Sequence, residues 1–157
     1  MSGPRLNRVV GDFTCESTAG EPMRLKDYRG QNVVLYFYPK DATPGCTQEG
    51  QDFRDLHASF RRQNTVIFGV SRDSLASHEK FRDKQRFPFH LLSDPDEKIC
   101  KKFDVIKEKS LYGRKFMGVE RSTFLIDADG KLRREWRKVK VKGHAQEVLD
   151  AVKELDS

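Results

Sequence analysis

The chain has 157 residues, which predicts one domain, spanning 1–157, with a hydrophobic core of its own. Hydrophobic residues make up 36% and charged residues 34%, and no apolar run is long enough to cross a membrane. The net charge of +6 permits an anionic partner without requiring one.

The first part of the chain predicts short strands, then one buried strand and a helix. Residues 9–30 have the pattern of short strands and turns. The run NVVLYFY at 32–38 is continuously apolar and rich in β-branched and aromatic residues, which is typical of a strand buried on both faces of a sheet. Pro39 ends that strand. After a loop at 39–45, apolar residues at helical spacing predict a helix over about 45–62.

The rest of the chain alternates strands with helices. The Asp-Gly sequence within 121–136 predicts a hairpin, and the basic stretch 105–120, with two glycines, predicts a long loop. The other predicted elements are a buried strand at 65–70, a helix capped by Ser71 or Asp73 that runs to about 85, a strand at 89–92, a helix with Asp94 as N-cap and Pro95 as its first residue, and an amphipathic helix at 144–155. This order indicates an α/β fold with a mixed central β-sheet flanked by helices.

Three cysteines, Cys15, Cys46 and Cys100, are too few to form a disulfide framework. Residues 1–13 lack the apolar core of a secretory signal, so we expect a cytoplasmic protein with reduced thiols. There is no Cys-x-x-Cys sequence and the histidines are scattered, so we expect no metal site. None of the histidines is a catalytic candidate: two are expected to be exposed, His57 and His144, and two to lie in the core or at caps, His78 and His90.

Cys46 has the setting of a reactive thiol. It follows a buried strand and a Pro-Gly turn, at the predicted first turn of a helix. The unpaired N–H groups and the positive dipole end at such a place favour the thiolate, which is the nucleophile. Thr43 could donate its hydroxyl to the sulfur or to a substrate oxygen. We expect a half-buried thiolate shielded from bulk water; the alternative is an inert core cysteine.

A cation near such a thiolate would assist attack on a peroxide, because it stabilises the charge that develops on the departing oxygen. Arg121 opens the apolar strand RSTFLID. From the pattern alone, Arg121 is either a surface side chain that extends to solvent or a residue of the site.

The sequence resembles the peroxiredoxins, in particular the PrxQ or bacterioferritin-comigratory-protein subfamily. The matching stretches span about residues 9–155 and include VVLYFYPKDATPGCTQE, FGVSRDS, FPFHLLSDPDEKIC, YGRKFMG and RSTFLIDADGK. The most specific motif is Thr-Pro-Gly-Cys at 43–46 after a YFYP strand. The resemblance implies a thioredoxin-like fold and a thiol peroxidase for hydrogen peroxide and organic hydroperoxides, with no metal, haem or flavin cofactor.

The resemblance also implies a role for each site residue. Cys46 would be the peroxidatic cysteine, which a hydroperoxide oxidises to sulfenic acid. Thr43 would hydrogen-bond the peroxide, and Arg121 would hold the thiolate and polarise the substrate. Pro39 would shield the pocket. The remaining substrate-binding candidates are Gly45 and Glu49.

The chain departs from the subfamily at the two usual positions of a second, resolving cysteine, which hold Gln51 and Arg82. We therefore expect a 1-Cys mechanism in which glutathione, glutaredoxin or thioredoxin reduces the sulfenic acid through a mixed disulfide. One alternative is an internal disulfide to Cys100 or, less favourably, to Cys15, although both are expected to be buried structural thiols. Another is that position 51 or 82 was replaced to trap one state.

Three rival functions are less well supported. The basic stretch 131–142 with Trp136 predicts either a nucleic-acid strip or a solvated edge strand, and the parity of its apolar residues favours the edge strand, so we expect no nucleic-acid partner. A disulfide exchanger would need the missing Cys-x-x-Cys, and a holdase chaperone would need large assemblies. We expect a monomer, with a weak dimer as the alternative, and no membrane partner.

Overall fold

The computed structural model describes residues 3–155. Their strands and helices are, in chain order, β1 (Thr14–Ser17), β2 (Met23–Arg24), a 3-10 helix (Leu25–Tyr28), β3 (Asn32–Phe37), α1 (Pro44–Asp55), α2 (His57–Arg62), β4 (Thr65–Ser71), α3 (Leu75–Gln85), β5 (His90–Ser93), α4 (Lys98–Lys102), β6 (Ile106–Leu111), β7 (Arg114–Val119), β8 (Ser122–Ile126), β9 (Leu132–Trp136) and α5 (His144–Glu154). None of these helices combines the length and apolar character that a bilayer crossing requires.

Seven strands form one mixed sheet in the order β2-β1-β5-β4-β3-β8-β9, so the predicted α/β fold with a mixed central sheet is confirmed. β3 pairs in parallel with β4 and antiparallel with β8. All six residues of β3 are buried, as the continuous apolar run predicts for a strand covered on both faces. Its carboxyl end leads directly into the loop ahead of α1, so the sheet determines where that loop begins.

Alternation along β3 divides the core into two clusters, one on each face of the sheet. Leu35 belongs to the first cluster and Tyr36 to the second. The first cluster also contains Cys15 of β1 and Cys100 of α4, whereas the second contains Cys46 of α1. The sheet therefore separates Cys46 from the other two cysteines.

The prediction of a long loop at 105–120 is wrong. β6 and β7 form an antiparallel two-stranded sheet of their own. They are joined by a tight turn with positive φ at Tyr112 (+52°) and Gly113 (+79°). Most of this hairpin is exposed, and the side chain of Tyr112 is 97% exposed. Because neither face of the hairpin is buried along its length, its sequence lacks the alternation that would have predicted strands.

The helix predicted over 45–62 is two helices, α1 and α2. The backbone leaves helical geometry at Leu56, where φ is −99° and ψ is 3°. The predicted cap of α3 is also wrong, because neither Ser71 nor Asp73 caps it. Ser74 holds that position, and its hydroxyl accepts the N–H of Ser77.

Asp94 does not hold the N-cap position of α4, which belongs to Glu97 in a left-handed conformation (φ +63°). Pro95 accordingly lies in the preceding turn and not at the first helical position. The carboxylate of Asp94 still accepts the N–H groups of Ile99 at 3.2 Å and Cys100 at 2.8 Å. The sequence therefore indicated the residue that satisfies the first-turn donors but not where the helix begins.

The predicted hairpin at 121–136 and the predicted closing helix are confirmed by β8, β9 and α5. Trp136 of β9 packs edge-on against His144, with ring centroids 5.7 Å apart, and the guanidinium of Arg134 lies over the indole at 5.1 Å. The indole is thus covered on two sides and is not an open stacking platform. His144 is 3% exposed and His57 is partly buried, so the prediction that both are exposed is wrong.

Candidate active site

Cys46 lies in the first turn of α1. Pro44 begins the helix, where its fixed φ suits the first position, and Thr43 is the N-cap with an extended backbone (φ −80°, ψ 154°). The side chain of Cys46 is part of the second core cluster, together with Tyr38 and Phe53, and is 2% exposed. The thiol is thus more deeply buried than the predicted half-buried position.

Arg121 is hydrogen-bonded to this thiol. Its Nη2 donates to Cys46 Sγ at 3.3 Å, and its Nη1 donates to a carboxylate oxygen of Glu49 at 2.6 Å. Arg121 comes directly before β8, whose pairing with β3 brings it back to the start of α1. A methyl group at Gly45 would lie 3.3 Å from Nη2, so the absence of a side chain at Gly45 leaves room for the guanidinium.

Glu49 is a buried carboxyl group one helical turn after Cys46. Burial raises its pKa from the ordinary 4.5 to about 7, although the charge and hydrogen bond of Arg121 act in the opposite direction. Its second oxygen and the Tyr36 hydroxyl are the buried side-chain polar atoms without a hydrogen-bond partner among residues 3–155. Burial lowers the pKa of Arg121, but the charges and hydrogen bonds of Glu49 and Cys46 outweigh burial and raise it. The guanidinium therefore stays charged.

Pro39 and Thr43 lie in the loop that joins β3 to α1. Pro39 is half-buried directly after the strand, and Thr43 is half-buried at the start of the helix. The Thr43 hydroxyl donates to the carbonyl oxygen of Lys40 at 2.7 Å. Its proton is therefore used within the loop, while the lone pairs of its oxygen remain able to accept a hydrogen bond.

Cys15 and Cys100 are both buried in the first core cluster. Burial, with a smaller contribution from Asp94, raises the pKa of Cys15 to about 12 and raises that of Cys100 as well. Both therefore remain neutral thiols near neutral pH, and neutral thiols are poor nucleophiles.

Gln51 and Arg82, which stand where the resemblance led us to look for a resolving cysteine, are polar side chains that are hydrogen-bonded. The amide of Gln51 donates to Gln85 Oε1 at 2.9 Å, and Arg82 Nε donates to the carbonyl oxygen of Phe89 at 2.8 Å. These contacts tie α1 to the end of α3 and α3 to the approach to β5.

Lys109 of β6 lies near the site and was missed in the sequence, because its segment was predicted to be a loop. Its pKa is lowered mainly by burial and then by the positive charge of Arg121, whereas a negative charge on Cys46 raises it. The charges of Arg121 and Cys46 both act on the pKa of Lys109, so this part of β6 lies near the site. No local signal in the sequence revealed the hairpin, because Tyr-Gly at 112–113 is not one of the dipeptides that specify such a turn.

The chain is similar to known proteins along most of its length. The AhpC/TSA family model matches residues 6–135. Peroxiredoxin Bcp of Bacillus subtilis is 52% identical over 150 residues, which cover 96% of this chain and 96% of that protein. A mutant of Xylella fastidiosa PrxQ superposes with a TM-score of 0.94 at 43% identity, and the match covers 100% of both chains.

The bacterioferritin comigratory protein of Xanthomonas campestris, whose structures address its alkyl peroxide reduction activity, superposes with a TM-score of 0.91 at 46% identity over 100% of both chains. These similarities confirm the thioredoxin-like fold that the resemblance implied.

Proposed function

The chain belongs to the AhpC/TSA family and is a peroxiredoxin, a thiol peroxidase, and on this premise we propose that Cys46 is its peroxidatic cysteine in a 1-Cys mechanism. The observation that carries the proposal is the contact of Arg121 with both Cys46 and Glu49. The guanidinium of Arg121 lies 3.3 Å from a sulfur that is 2% exposed, so the cation is in place where charge would move from this sulfur to a substrate oxygen.

In the first step, the Cys46 thiolate attacks one oxygen of the hydroperoxide and the O–O bond breaks. The sulfur becomes a sulfenic acid, and the departing oxygen leaves as an alkoxide or hydroxide that takes up a proton to become an alcohol or water. Arg121 lies where it would stabilise the negative charge as it moves from sulfur to the departing oxygen. Glu49 holds the guanidinium in that direction.

Thr43 has a different role from donation to the sulfur. Because its hydroxyl proton points to Lys40, its oxygen would accept the hydrogen bond of a peroxide O–H and orient the substrate. Gly45 leaves space for the guanidinium, and the half-buried Pro39 would shield the pocket from water.

The separation of the cysteines supports the 1-Cys mechanism. Cys15 and Cys100 lie on the opposite face of the sheet from Cys46, so an internal disulfide would require the core to open. The raised pKa values of both thiols also disfavour their attack on the sulfenic acid.

An external thiol would therefore complete the cycle. It attacks the sulfenic sulfur of Cys46 and releases water, which gives a mixed disulfide. A second thiol then attacks that disulfide, returns Cys46 as a thiol and leaves the reductant as its own disulfide. Glutathione, glutaredoxin and thioredoxin all have the chemistry that this step needs.

Hydrogen peroxide and alkyl hydroperoxides are the proposed substrates, and the activity of the Xanthomonas campestris relative supports the second class. We propose that the protein works as a single-domain monomer in the cytoplasm, without a metal or organic cofactor.

Peroxide consumption in the presence of each reductant tests this assignment. We expect Cys46→Ser to lose all activity and Cys15→Ser and Cys100→Ser to retain it. Activity that survives in Cys46→Ser would contradict the assignment of the peroxidatic residue, and activity lost in Cys100→Ser or Cys15→Ser, with first-step oxidation intact, would favour the internal disulfide.

A further inference from the structure

His78 of α3 is a completely buried histidine with both ring nitrogens engaged. Nε2 lies 2.9 Å from the carbonyl oxygen of Leu92, and Nδ1 lies 2.7 Å from Oδ2 of Asp41. A carbonyl oxygen can only accept, so Nε2 carries a proton. The other nitrogen faces a carboxylate that belongs to the loop between β3 and α1.

Asp41 is surrounded by donors. The Tyr38 hydroxyl donates to its Oδ1 at 2.6 Å, and the Ser77 hydroxyl donates to its Oδ2 at 2.8 Å. Its own backbone N–H donates to Asp73 at 2.9 Å. With two hydroxyl donors directed at the carboxyl group of Asp41, the hydrogen bond between its Oδ2 and Nδ1 of His78 completes a buried network that ties the loop to α3.

The backbone of this loop needs such an anchor. Ala42 has φ +63°, a left-handed conformation that disfavours residues with a Cβ atom. Local preferences alone would therefore not hold the loop in this shape. Asp41 is two residues after Pro39 and two before Thr43, so an anchor at Asp41 acts on both proposed substrate-contacting positions.

We propose that Asp41 and His78 are positioning residues of the peroxidase reaction, which fix the loop so that Thr43 meets the bound peroxide. This inference rests on the proposed role of Thr43. Neither residue touches Cys46 or Arg121 in the described contacts, and their effect is transmitted through the loop backbone. The hydrogen bonds of His78 and Ser77 join the loop to α3, and that of Tyr38 orients the carboxyl group from the end of β3.

The test compares two reactions of the same sulfur. Oxidation of Cys46 by hydrogen peroxide in a single turnover needs the oriented substrate, whereas alkylation of Cys46 by iodoacetamide needs only an accessible thiolate. We expect His78→Leu and Asp41→Asn to slow oxidation on the order of tenfold to a hundredfold and to leave the alkylation rate unchanged. His78→Gln, which can still donate one hydrogen bond, should recover part of the loss.

Two further variants keep the result interpretable. His57→Gln changes a histidine on α2 outside this network and should match the wild type in both reactions. The double variant Asp41→Ala, His78→Leu removes both partners of the hydrogen bond together, so we expect it to be more stable than His78→Leu alone, which leaves the Asp41 carboxyl group buried without this partner.

Peroxide rates in His78→Gln and Asp41→Asn equal to those of the wild type would overturn the inference, as would an equal loss in both reactions. If His78→Leu does not fold, these two variants decide the question. Failure of the wild type itself to be oxidised at Cys46 would instead overturn the proposed function, so the two failures are distinguishable.

Discussion

Arg121 donates a hydrogen bond to the sulfur of Cys46 across 3.3 Å, although the two residues are 75 positions apart in the chain. The pairing of β8 with β3 makes this approach possible, because it returns Arg121 to the end of the strand that leads to Cys46. Glu49 accepts a hydrogen bond from the other terminal nitrogen of the same guanidinium. The buried sulfur and carboxyl group and the partly exposed guanidinium therefore act as one unit.

Replacing Arg121 by lysine should slow the oxidation of Cys46 by hydrogen peroxide on the order of a hundredfold or more. A lysine ammonium cannot donate in two fixed directions to Sγ and to Glu49 at once, as a guanidinium does. Stopped-flow measurement of the first oxidation step gives the rate. Arg133→Lys is the matched control, since the exposed Arg133 pairs with Asp127 outside the site, and equal rates in the two variants would contradict this account.

Glu49 should make stability depend on pH in a defined window. Its pKa is raised by burial from 4.5 to about 7, so between these values the folded protein holds a proton that the unfolded chain has released. The free energy of unfolding therefore gains a contribution that is present below 4.5 and is lost as the pH rises to about 7.

Urea unfolding of wild type and Glu49→Gln across this window measures the contribution of Glu49. The glutamine cannot titrate, so we expect a shallower fall in stability with rising pH. Glu21→Gln, at an exposed carboxylate in the turn between β1 and β2, is the control and should keep the wild-type slope. Parallel profiles for wild type and Glu49→Gln would show that Glu49 titrates at an ordinary pKa.

Most of the sheet could be predicted from the sequence, because β3 and β4 are buried on both faces and their apolar runs are continuous. The hairpin at 106–119 could not, since exposed strands leave no periodic apolar pattern. Helix boundaries near Leu56 and Glu97 depended on backbone conformations that tertiary contacts impose.

Some features of the candidate site could likewise be predicted from the sequence, and others could not. The setting of Cys46 could be recognised locally, because the loop and the helix start are contiguous in sequence. The hydrogen bond between Asp41 and His78 joins residues 37 positions apart, and no local pattern indicates that they meet. The burial of His144 could not be predicted locally, because the ring packs against Phe53 of α1 and Trp136 of β9 and forms a hydrogen bond with Thr123 of β8.

Introducing a thiol at position 51 should create an internal disulfide. In Gln51→Cys we expect one equivalent of hydrogen peroxide to cause the loss of two hydrogen atoms, because the new thiol can attack the sulfenic acid once α1 opens locally. Intact mass under non-reducing conditions measures the change. Gln146→Cys, exposed on α5, is the control, and an equal absence of a disulfide in both variants would argue that α1 does not open.

Gly50 allows α1 to approach an aromatic group closely. A methyl group there would lie 2.3 Å from Cζ of Phe87, which is itself packed in the second core cluster. We expect Gly50→Ala to lower the free energy of unfolding by about 1–3 kcal/mol through overpacking. Urea denaturation measures the loss, with Gln48→Ala at an exposed position of the same helix as the control. Unchanged stability in Gly50→Ala would mean that Phe87 moves aside without cost.

The most direct measurement is the intact mass of the wild type and of Cys46→Ser, under non-reducing conditions, after one equivalent of hydrogen peroxide. The account predicts that the wild type gains one oxygen atom, or one glutathione when glutathione is present, and that Cys46→Ser is unchanged. Loss of two hydrogen atoms would instead reveal an internal disulfide to Cys100 or Cys15 and contradict the 1-Cys mechanism. A wild type that remains unmodified would contradict the assignment of Cys46 itself.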